Sequence, residues 1–189
     1  MVILFVALLL LLLAGSGSKG GRVLVYPVDG SHWLNMRILV EALHTQGHQV
    51  TVLRSSTSWY VSEHSPHYSS ITVHQDTVQN IESEDFMSSF LHRSLEIRKQ
   101  GGSPLAFLAL YSNLFHMLTG NHMAVAHMAR TMLKDQALMQ RLREACFDLV
   151  LTDPVFPLGV LVAQYLQLPL VLNVRWIPHG EGHFAIAPS

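Results

Sequence analysis

The segment from residue 23 to residue 53 constrains the fold of this chain more than any other. An apolar, β-branched run ends at Pro27 and is typical of a buried strand. A turn with Gly30 follows, and then a helical pattern whose predicted inward residues are Leu34, Ile38, Leu39, Ala42 and Leu43. Gly47 stands where a helix C-cap glycine belongs, before a second predicted strand over 49–53. This pattern predicts a right-handed βαβ unit with parallel strands.

The same alternation returns near the end of the chain. Residues 147–152 predict a strand, residues 153–159 a turn, 159–166 a short helix and 168–173 another strand. A further short strand is predicted over 71–74. Together these segments predict an α/β fold class, with a Rossmann-like parallel sheet flanked by helices.

The middle of the chain, residues 77–144, is mostly helical in pattern. A first amphipathic stretch is stopped by Gly101 and Gly102, and an apolar helix over 104–118 is broken by Gly120 and Asn121. The predicted inward residues of a third helix over 122–144 are Met123, Ala126, Ala129, Leu133, Ala137 and Leu138. The helix over 104–118 fits the core or the wall of a pocket, and less well a contact with a membrane surface.

Two polar residues follow predicted strands. His32 comes after the first strand, and Asp153 comes after the strand over 147–152. Parallel strands end at one edge of a sheet, where ligands bind in open α/β folds. A carboxylate there could fix the tautomer of the imidazole, whose other nitrogen could take a proton from a substrate hydroxyl near neutral pH. The alternatives are a loop histidine and a turn-forming or helix-capping aspartate before Pro154.

Several other sites are disfavoured by the sequence. A formal net charge of −1 gives no reason to expect a nucleic-acid partner. The 12 histidines lack the spacing of a metal site, so no metal ligands are predicted. No Gly-x-Gly-x-x-Gly or Walker loop follows the first strand, so no cofactor-binding residues are predicted. Cys146, the single cysteine, is predicted to be a small packed residue and not a nucleophile.

The first 14 residues form an unbroken apolar run that is followed by Gly and Ser. A helix of that length spans about 20 Å, short of the roughly 30 Å hydrocarbon core of a bilayer. We therefore expect a signal peptide over 1–18 and one domain over 19–189. The alternative is an uncleaved short anchor.

A series of segments, in their order and spacing, resembles the UDP-glucuronosyltransferases, the microsomal family that conjugates drugs and steroids. They are residues 23–27, 29–34, 47–53, 147–159 and 180–184. The resemblance covers essentially the whole chain as an N-terminal half, and in detail it is nearest to fish members. It implies the acceptor-binding half of a two-domain, GT-B type glycosyltransferase. His32 then resembles the general base, and Asp153 resembles its carboxylate partner.

The resemblance also implies a reaction and a setting. The family moves glucuronate from UDP-glucuronate to a hydroxyl of a small lipophilic acceptor and inverts the anomeric carbon. The co-substrate is bound mainly by a C-terminal half that this chain lacks, as it lacks the transmembrane anchor, so the chain alone is expected to transfer no sugar. The full-length family is anchored in the endoplasmic reticulum membrane and faces the lumen, so this chain alone is expected to be luminal or secreted. Partners there would be the membrane surface and further copies or other members of the family.

Two other functions stay open from the sequence. One is a short luminal module that holds lipophilic ligands, or pairs with intact transferases and dampens them. The other is a secreted α/β domain of unrelated activity.

Overall fold

A single parallel sheet organises the computed structural model, which describes residues 20–75 and 84–174. Within these residues the strand order is β3-β2-β1-β4-β5 and every pairing is parallel. The strands are β1 (Arg22–Tyr26), β2 (Gln49–Ser55), β3 (Ser69–Val73), β4 (Leu149–Thr152) and β5 (Leu170–Leu172). The helices are α1 (Ser31–Thr45), α2 (Glu84–Lys99), α3 (Pro104–Lys134), α4 (Gln136–Glu144) and α5 (Leu158–Leu166). The predicted fold class is confirmed, whereas the predicted signal peptide lies outside the described residues.

The sheet separates two hydrophobic cores. The core under α1 is built from Val23, Val25, Trp33, Met36, Val40, Val50, Val52, Val61 and Leu151. The core under α3, α4 and α5 includes Leu24, Tyr26, Leu53, Met128, Met132, Leu142, Val150, Leu158 and Val162. Successive side chains of β1 therefore alternate between two buried faces. This is why its sequence is a continuous apolar run and does not alternate with polar residues.

The predicted inward face of α1 is wrong. Four of the five residues predicted to be buried are exposed, namely Leu34, Ile38, Leu39 and Ala42. Trp33, Met36 and Val40 are buried instead, and Leu43 packs against them. The helix carries apolar residues on two sides, so spacing alone could not choose between them. The side that is buried carries the indole, which removes more apolar surface from water than any other side chain of α1.

The predicted break at Gly120 and Asn121 is also wrong, because α3 continues through both residues to Lys134. An interior glycine costs a helix only about 1 kcal/mol, which continued packing against the core can outweigh. The break comes at Asp135, whose backbone is extended at φ −76° and ψ 92°. Its carboxylate Oδ1 accepts the N–H of Leu138 at 2.9 Å, so Asp135 caps the start of α4.

The inward residues predicted over 122–144 are partly right. Ala129 and Leu138 are buried and Leu133 is half-buried, whereas Met123, Ala126 and Ala137 are exposed. The helical phase restarts at Asp135, so one periodic pattern cannot describe both α3 and α4. The other buried residues of the two helices in this span are Met128, Met132, Met139 and Leu142.

The apolar segment over 104–118 does not form plain core. Leu105, Leu108, Tyr111 and Phe115 are between 59% and 77% exposed, and Leu110 is the one buried residue of the segment. Leu118, at its end, lines the cavity described below. Among the residues that the structure describes, no helix combines the length and apolarity that crossing a bilayer needs.

Cys146 is exposed, so the prediction of a packed thiol is wrong. Its backbone is left-handed, with φ 50°, and its N–H donates to the Arg143 carbonyl at 3.2 Å. These features place Cys146 in the turn between α4 and β4. The residue that packs into the core at this point is its neighbour Phe147.

Candidate functional site

His32 is held by the turn between β1 and α1. Gly30 adopts φ 78° and ψ −140°, a backbone conformation that residues with a Cβ avoid. The Gly30 carbonyl accepts the N–H of Leu34 at 3.3 Å, which closes the first turn of the helix. His32 is therefore the second residue of α1, and 18% of its side chain is exposed.

Asp153 emerges beside His32 because β4 is the neighbour of β1. The register pairs Tyr26 with Thr152, and the Thr152 hydroxyl donates to the Tyr26 carbonyl at 2.9 Å. The Asp153 side chain is 1% exposed. Its Oδ1 accepts the N–H of Val155 at 3.0 Å, and its Oδ2 lies 2.7 Å from His32 Nδ1. The proximity that the sequence predicted for these two side chains is present.

The pair lies at the point in the sheet where the strand order reverses, between β1 and β4. From β1 the chain extends the sheet through β2 to β3 on one side, and later adds β4 and β5 on the other. In open α/β sheets the loops diverge at this switch point and leave a crevice for a ligand. His32, at the start of α1, and Asp153, directly after β4, lie on either side of it.

The hydrogen bond determines what the imidazole can do. When Nδ1 donates its proton to the Asp153 carboxylate, Nε2 keeps a free lone pair and can accept a proton. The arrangement has the chemistry of a general base that is oriented by an acid.

A cavity of about 210 Å³ lies in front of His32. Its apolar lining includes Leu53, Val61, Leu118, Val125, Met128 and Phe156. Its polar lining includes Tyr26, Asp29, His32, Arg54, Ser55, Gln75, Asn121 and His122. Apolar walls with a few fixed polar groups are typical of sites for small organic ligands. Its volume is below the usual 300–1,000 Å³ or so of such sites, which favours a small ligand.

The sequence did not reveal the polar residues that hold the cavity wall. The Asp29 carboxylate accepts the N–H groups of Trp59 and Tyr60 at 2.8 and 3.0 Å, and so fixes the loop after β2. Gln75 Nε2 donates to the Ala124 carbonyl at 2.9 Å, and its Oε1 accepts the Ser55 hydroxyl at 2.6 Å. These contacts join distant segments, so no local pattern announces them.

Tyr26 contributes a neutral phenol to the cavity wall. Burial raises the pKa of this phenol well above its ordinary value of 10.0. The group therefore carries no charge at neutral pH. In the described part of the chain, no group of three or more His, Cys, Asp or Glu side chains could hold a metal ion.

Comparison with known proteins places the chain among sugar transferases. The family model described as "UDP-glucoronosyl and UDP-glucosyl transferase" matches residues 21–185. UDP-glucuronosyltransferase 1-2 of Rattus norvegicus is 35% identical over 178 residues, which cover 92% of this chain and 31% of the relative. UDP-glucuronosyltransferase 2A1 of Homo sapiens is 31% identical over 159 residues, which cover 84% of this chain and 30% of the relative. The chain thus spans about a third of the length of the curated relatives that it matches.

The chain is also similar to solved structures. One of them is the crystal structure of Arabidopsis thaliana UGT89C1 complexed with quercetin, with a TM-score of 0.45 and 18% sequence identity. The match covers 82% of this chain and 34% of that protein.

Proposed function

Since the chain belongs to the UDP-glucuronosyl and UDP-glucosyl transferase family, we propose that it is the acceptor-binding and catalytic-base half of an inverting glycosyltransferase. The full enzyme would move glucuronate from UDP-glucuronate to a hydroxyl of a small lipophilic acceptor. The observation that carries this proposal is the 2.7 Å contact of His32 with the buried Asp153, beside a largely apolar cavity.

The proposed reaction is a single displacement. His32 Nε2 takes the proton of the acceptor hydroxyl, and the acceptor oxygen attacks the anomeric carbon of the sugar from the face opposite UDP. A new C–O bond forms while the bond between that carbon and the diphosphate oxygen breaks, and UDP leaves with the electron pair. Asp153 stabilises the imidazolium that His32 becomes. Attack from the opposite face inverts the anomeric carbon.

The two substrates would be held by different parts of the full-length protein. The cavity beside His32 would take the acceptor, because its walls are mostly apolar side chains. The UDP-sugar would be bound mainly by a C-terminal half like that of the relatives, whose length the chain matches only to about a third. Within this proposal residues 1–18 are a signal peptide, and the enzyme acts in the lumen of the endoplasmic reticulum.

A second candidate is a luminal binding or regulatory module. The observation that favours it is the exposed apolar side of α3, which includes Leu105, Leu108 and Phe115. Such a surface could contact a membrane or an intact transferase with which the chain forms an oligomer. Sequencing the 3′ end of the transcript separates the two candidates, because only the enzyme requires a reading frame that continues into a donor-binding half.

The role of His32 can be tested in the full-length transferase. His32→Ala should lower kcat for transfer from UDP-glucuronate to a phenol by about 10²- to 10⁴-fold, because the general base is lost. His44→Ala is the matched control, since His44 lies in the last turn of the same helix. The control should stay near wild-type activity. Normal transfer by His32→Ala would show that His32 is not the general base.

The role of Asp153 follows from the same assay. Asp153→Asn keeps the size of the side chain but removes the charge that fixes the tautomer and stabilises the imidazolium. We expect a loss comparable to that of His32→Ala. The double variant should be no worse than the poorer single variant, because the two groups act as a unit. Losses that multiply would show that they act independently.

A further inference from the structure

Arg54 is a buried cation, and its hydrogen-bond partners within residues 20–75 and 84–174 are all neutral. Its side chain leaves β2 near the carboxyl end of the strand, and the residue is 8% exposed. Nε donates to the Val61 carbonyl at 2.8 Å, Nη1 to the Thr72 hydroxyl at 3.2 Å, and Nη2 to the Ser58 carbonyl at 3.3 Å. Arg54 takes part in none of the ion pairs found among the described residues. Because burial of a charge is costly, buried guanidinium groups are usually paired with an anion.

Arg54 lines the same cavity as His32. A guanidinium has five N–H groups, and the three hydrogen bonds to protein acceptors leave two of them. The carboxylate in the described lining of the cavity is that of Asp29, and both of its oxygens accept backbone N–H groups. The Asp153 carboxylate is engaged by His32 and Val155. Within the described part of the chain, the cavity thus contains a fixed cation and no carboxylate that is bonded to it.

We propose that Arg54 binds a carboxylate of the acceptor, so that the cavity selects small acceptors with a hydroxyl at one end and a carboxylate at the other. This inference rests on the proposed function, because it assigns the acceptor to this cavity. A planar guanidinium matches a carboxylate in shape and in donor geometry. A hydroxybenzoic acid has the required chemistry: its carboxylate would meet Arg54 while its phenol hydroxyl faces His32.

The surroundings of Arg54 fix the side chain before a ligand arrives. Ser58 and Val61, whose carbonyls accept from it, belong to the loop that Asp29 holds through Trp59 and Tyr60. A fixed guanidinium loses little conformational freedom when it binds, which favours affinity and selectivity. The same contacts give Arg54 a structural role, so the test must separate anion recognition from support of the loop.

Two ligands of the same shape make that separation. Para-hydroxybenzoate and para-hydroxybenzamide differ in the charge of one group, and isothermal titration calorimetry can measure the binding of each to the chain without a sugar donor. The wild-type chain should bind the carboxylate about 10- to 100-fold more tightly than the amide, the usual effect of a hydrogen bond to a charged group. Raising the salt concentration should narrow this ratio. If the wild-type chain binds the two ligands with equal affinity, that measurement alone overturns the proposal.

Two substitutions then assign the preference to Arg54. Arg54→Gln should remove the preference by weakening the carboxylate and sparing the amide, whereas Arg54→Lys should keep part of it because the charge remains. Equal weakening of both ligands by Arg54→Gln, with Arg54→Lys as selective as the wild type, would leave Arg54 only a structural role.

The affinity ratio between the two ligands also tests the Arg54 site separately from the proposed base, His32. His32→Ala should keep the ratio between carboxylate and amide, since that ratio reports on the other end of the ligand. If His32→Ala keeps both the affinity ratio and normal transfer, the Arg54 site is supported and the role of His32 as the base is rejected. If His32→Ala loses transfer as expected but the wild-type chain binds the carboxylate and the amide equally, only the Arg54 site is rejected.

Discussion

Tyr26 shows how one buried residue can link the cavity wall to the stability of the fold. It ends β1, belongs to the core under α3, α4 and α5, and lines the cavity. Burial raises the pKa of its phenol, so the folded chain keeps this proton at pH values where an unfolded chain would release it. The fold is therefore sensitive to alkali at this residue.

Tyr26→Phe should weaken the alkaline loss of stability. An unfolded tyrosine ionises near about pH 10, so above that pH the unfolded state holds fewer protons than the folded state. The free energy of unfolding must then fall as the pH rises, by at most about 1.4 kcal/mol per pH unit for one group. Urea unfolding of wild type and Tyr26→Phe at about pH 8, 10 and 11 measures this difference.

The control for this experiment is Tyr111→Phe, because Tyr111 is 59% exposed on α3. It should follow the wild type over the whole pH range. Tyr68→Phe should act in the same direction as Tyr26→Phe, since burial also raises the pKa of Tyr68, although Arg54, Arg37 and a hydrogen bond to Ser65 oppose the effect. Parallel curves for wild type and Tyr26→Phe above about pH 10 would contradict the prediction.

At the scale of elements, one residue joins two helices. Asp135 ends α3, where its N–H donates to the carbonyls of Thr131 and Met132 at 3.1 Å each, and it starts α4 by capping Leu138. Because α4 supplies Leu138, Met139 and Leu142 to a core, the angle at this joint decides whether they are buried.

Asp135→Ala should destabilise the chain by about 1 kcal/mol, the usual effect of losing an N-cap side chain. Asp135→Asn is the matched control, because an amide oxygen also caps a helix and the change should be within a few tenths of a kcal/mol. Chemical denaturation followed by far-ultraviolet circular dichroism measures both. A similar loss in the two variants would point to the charge of Asp135 instead of its cap.

The elements also show what the sequence could reveal. The strands were predictable because β1 and β4 are short apolar runs bounded by turn residues. The buried face of α1 was not, because Leu34 and Trp33 offer two apolar sides and only contact with the sheet selects one. In the same way, Gly120 marks a weak point that tertiary packing overrides.

The candidate site was predictable to a similar extent. The edge of the sheet follows from parallel strands, so the proximity of His32 and Asp153 could be predicted from their places after two strands. Arg54 lies within a strand, and the partners of its guanidinium come from the loop after β2 and from β3. Neither its burial nor the neutrality of the partners that the described residues offer it can be inferred from neighbours in the sequence.

At the scale of the whole molecule, the cavity of the proposed acceptor lies at the carboxyl edge of the sheet. The loops after β1, β2 and β4 meet there, together with the middle of α3. In the proposed enzyme this edge would face the donor-binding half, so that the acceptor hydroxyl could meet the sugar. Bringing two reactants together in this way can contribute roughly 7–11 kcal/mol to lowering a barrier.

The 189-residue chain alone should bind an acceptor but transfer no sugar. Without the other half, nothing would orient the UDP-sugar or offset the charge of the leaving diphosphate, and the contribution of proximity would be lost. The measurement is UDP release from UDP-glucuronate in the presence of a phenol, with the full-length transferase as the positive control. Clear turnover by the purified chain would contradict this expectation.

His32 and Asp153 are 121 positions apart in the sequence, and this distance also bears on how the chain matures. A ribosome that has made β1, α1 and β2 has produced the imidazole but not yet its acidic partner. The edge of β1 that will receive β4 stays unpaired until the residues of β4, Leu149–Thr152, have emerged. In a nascent chain, the proposed base should therefore meet its acidic partner late, when β4 pairs with β1.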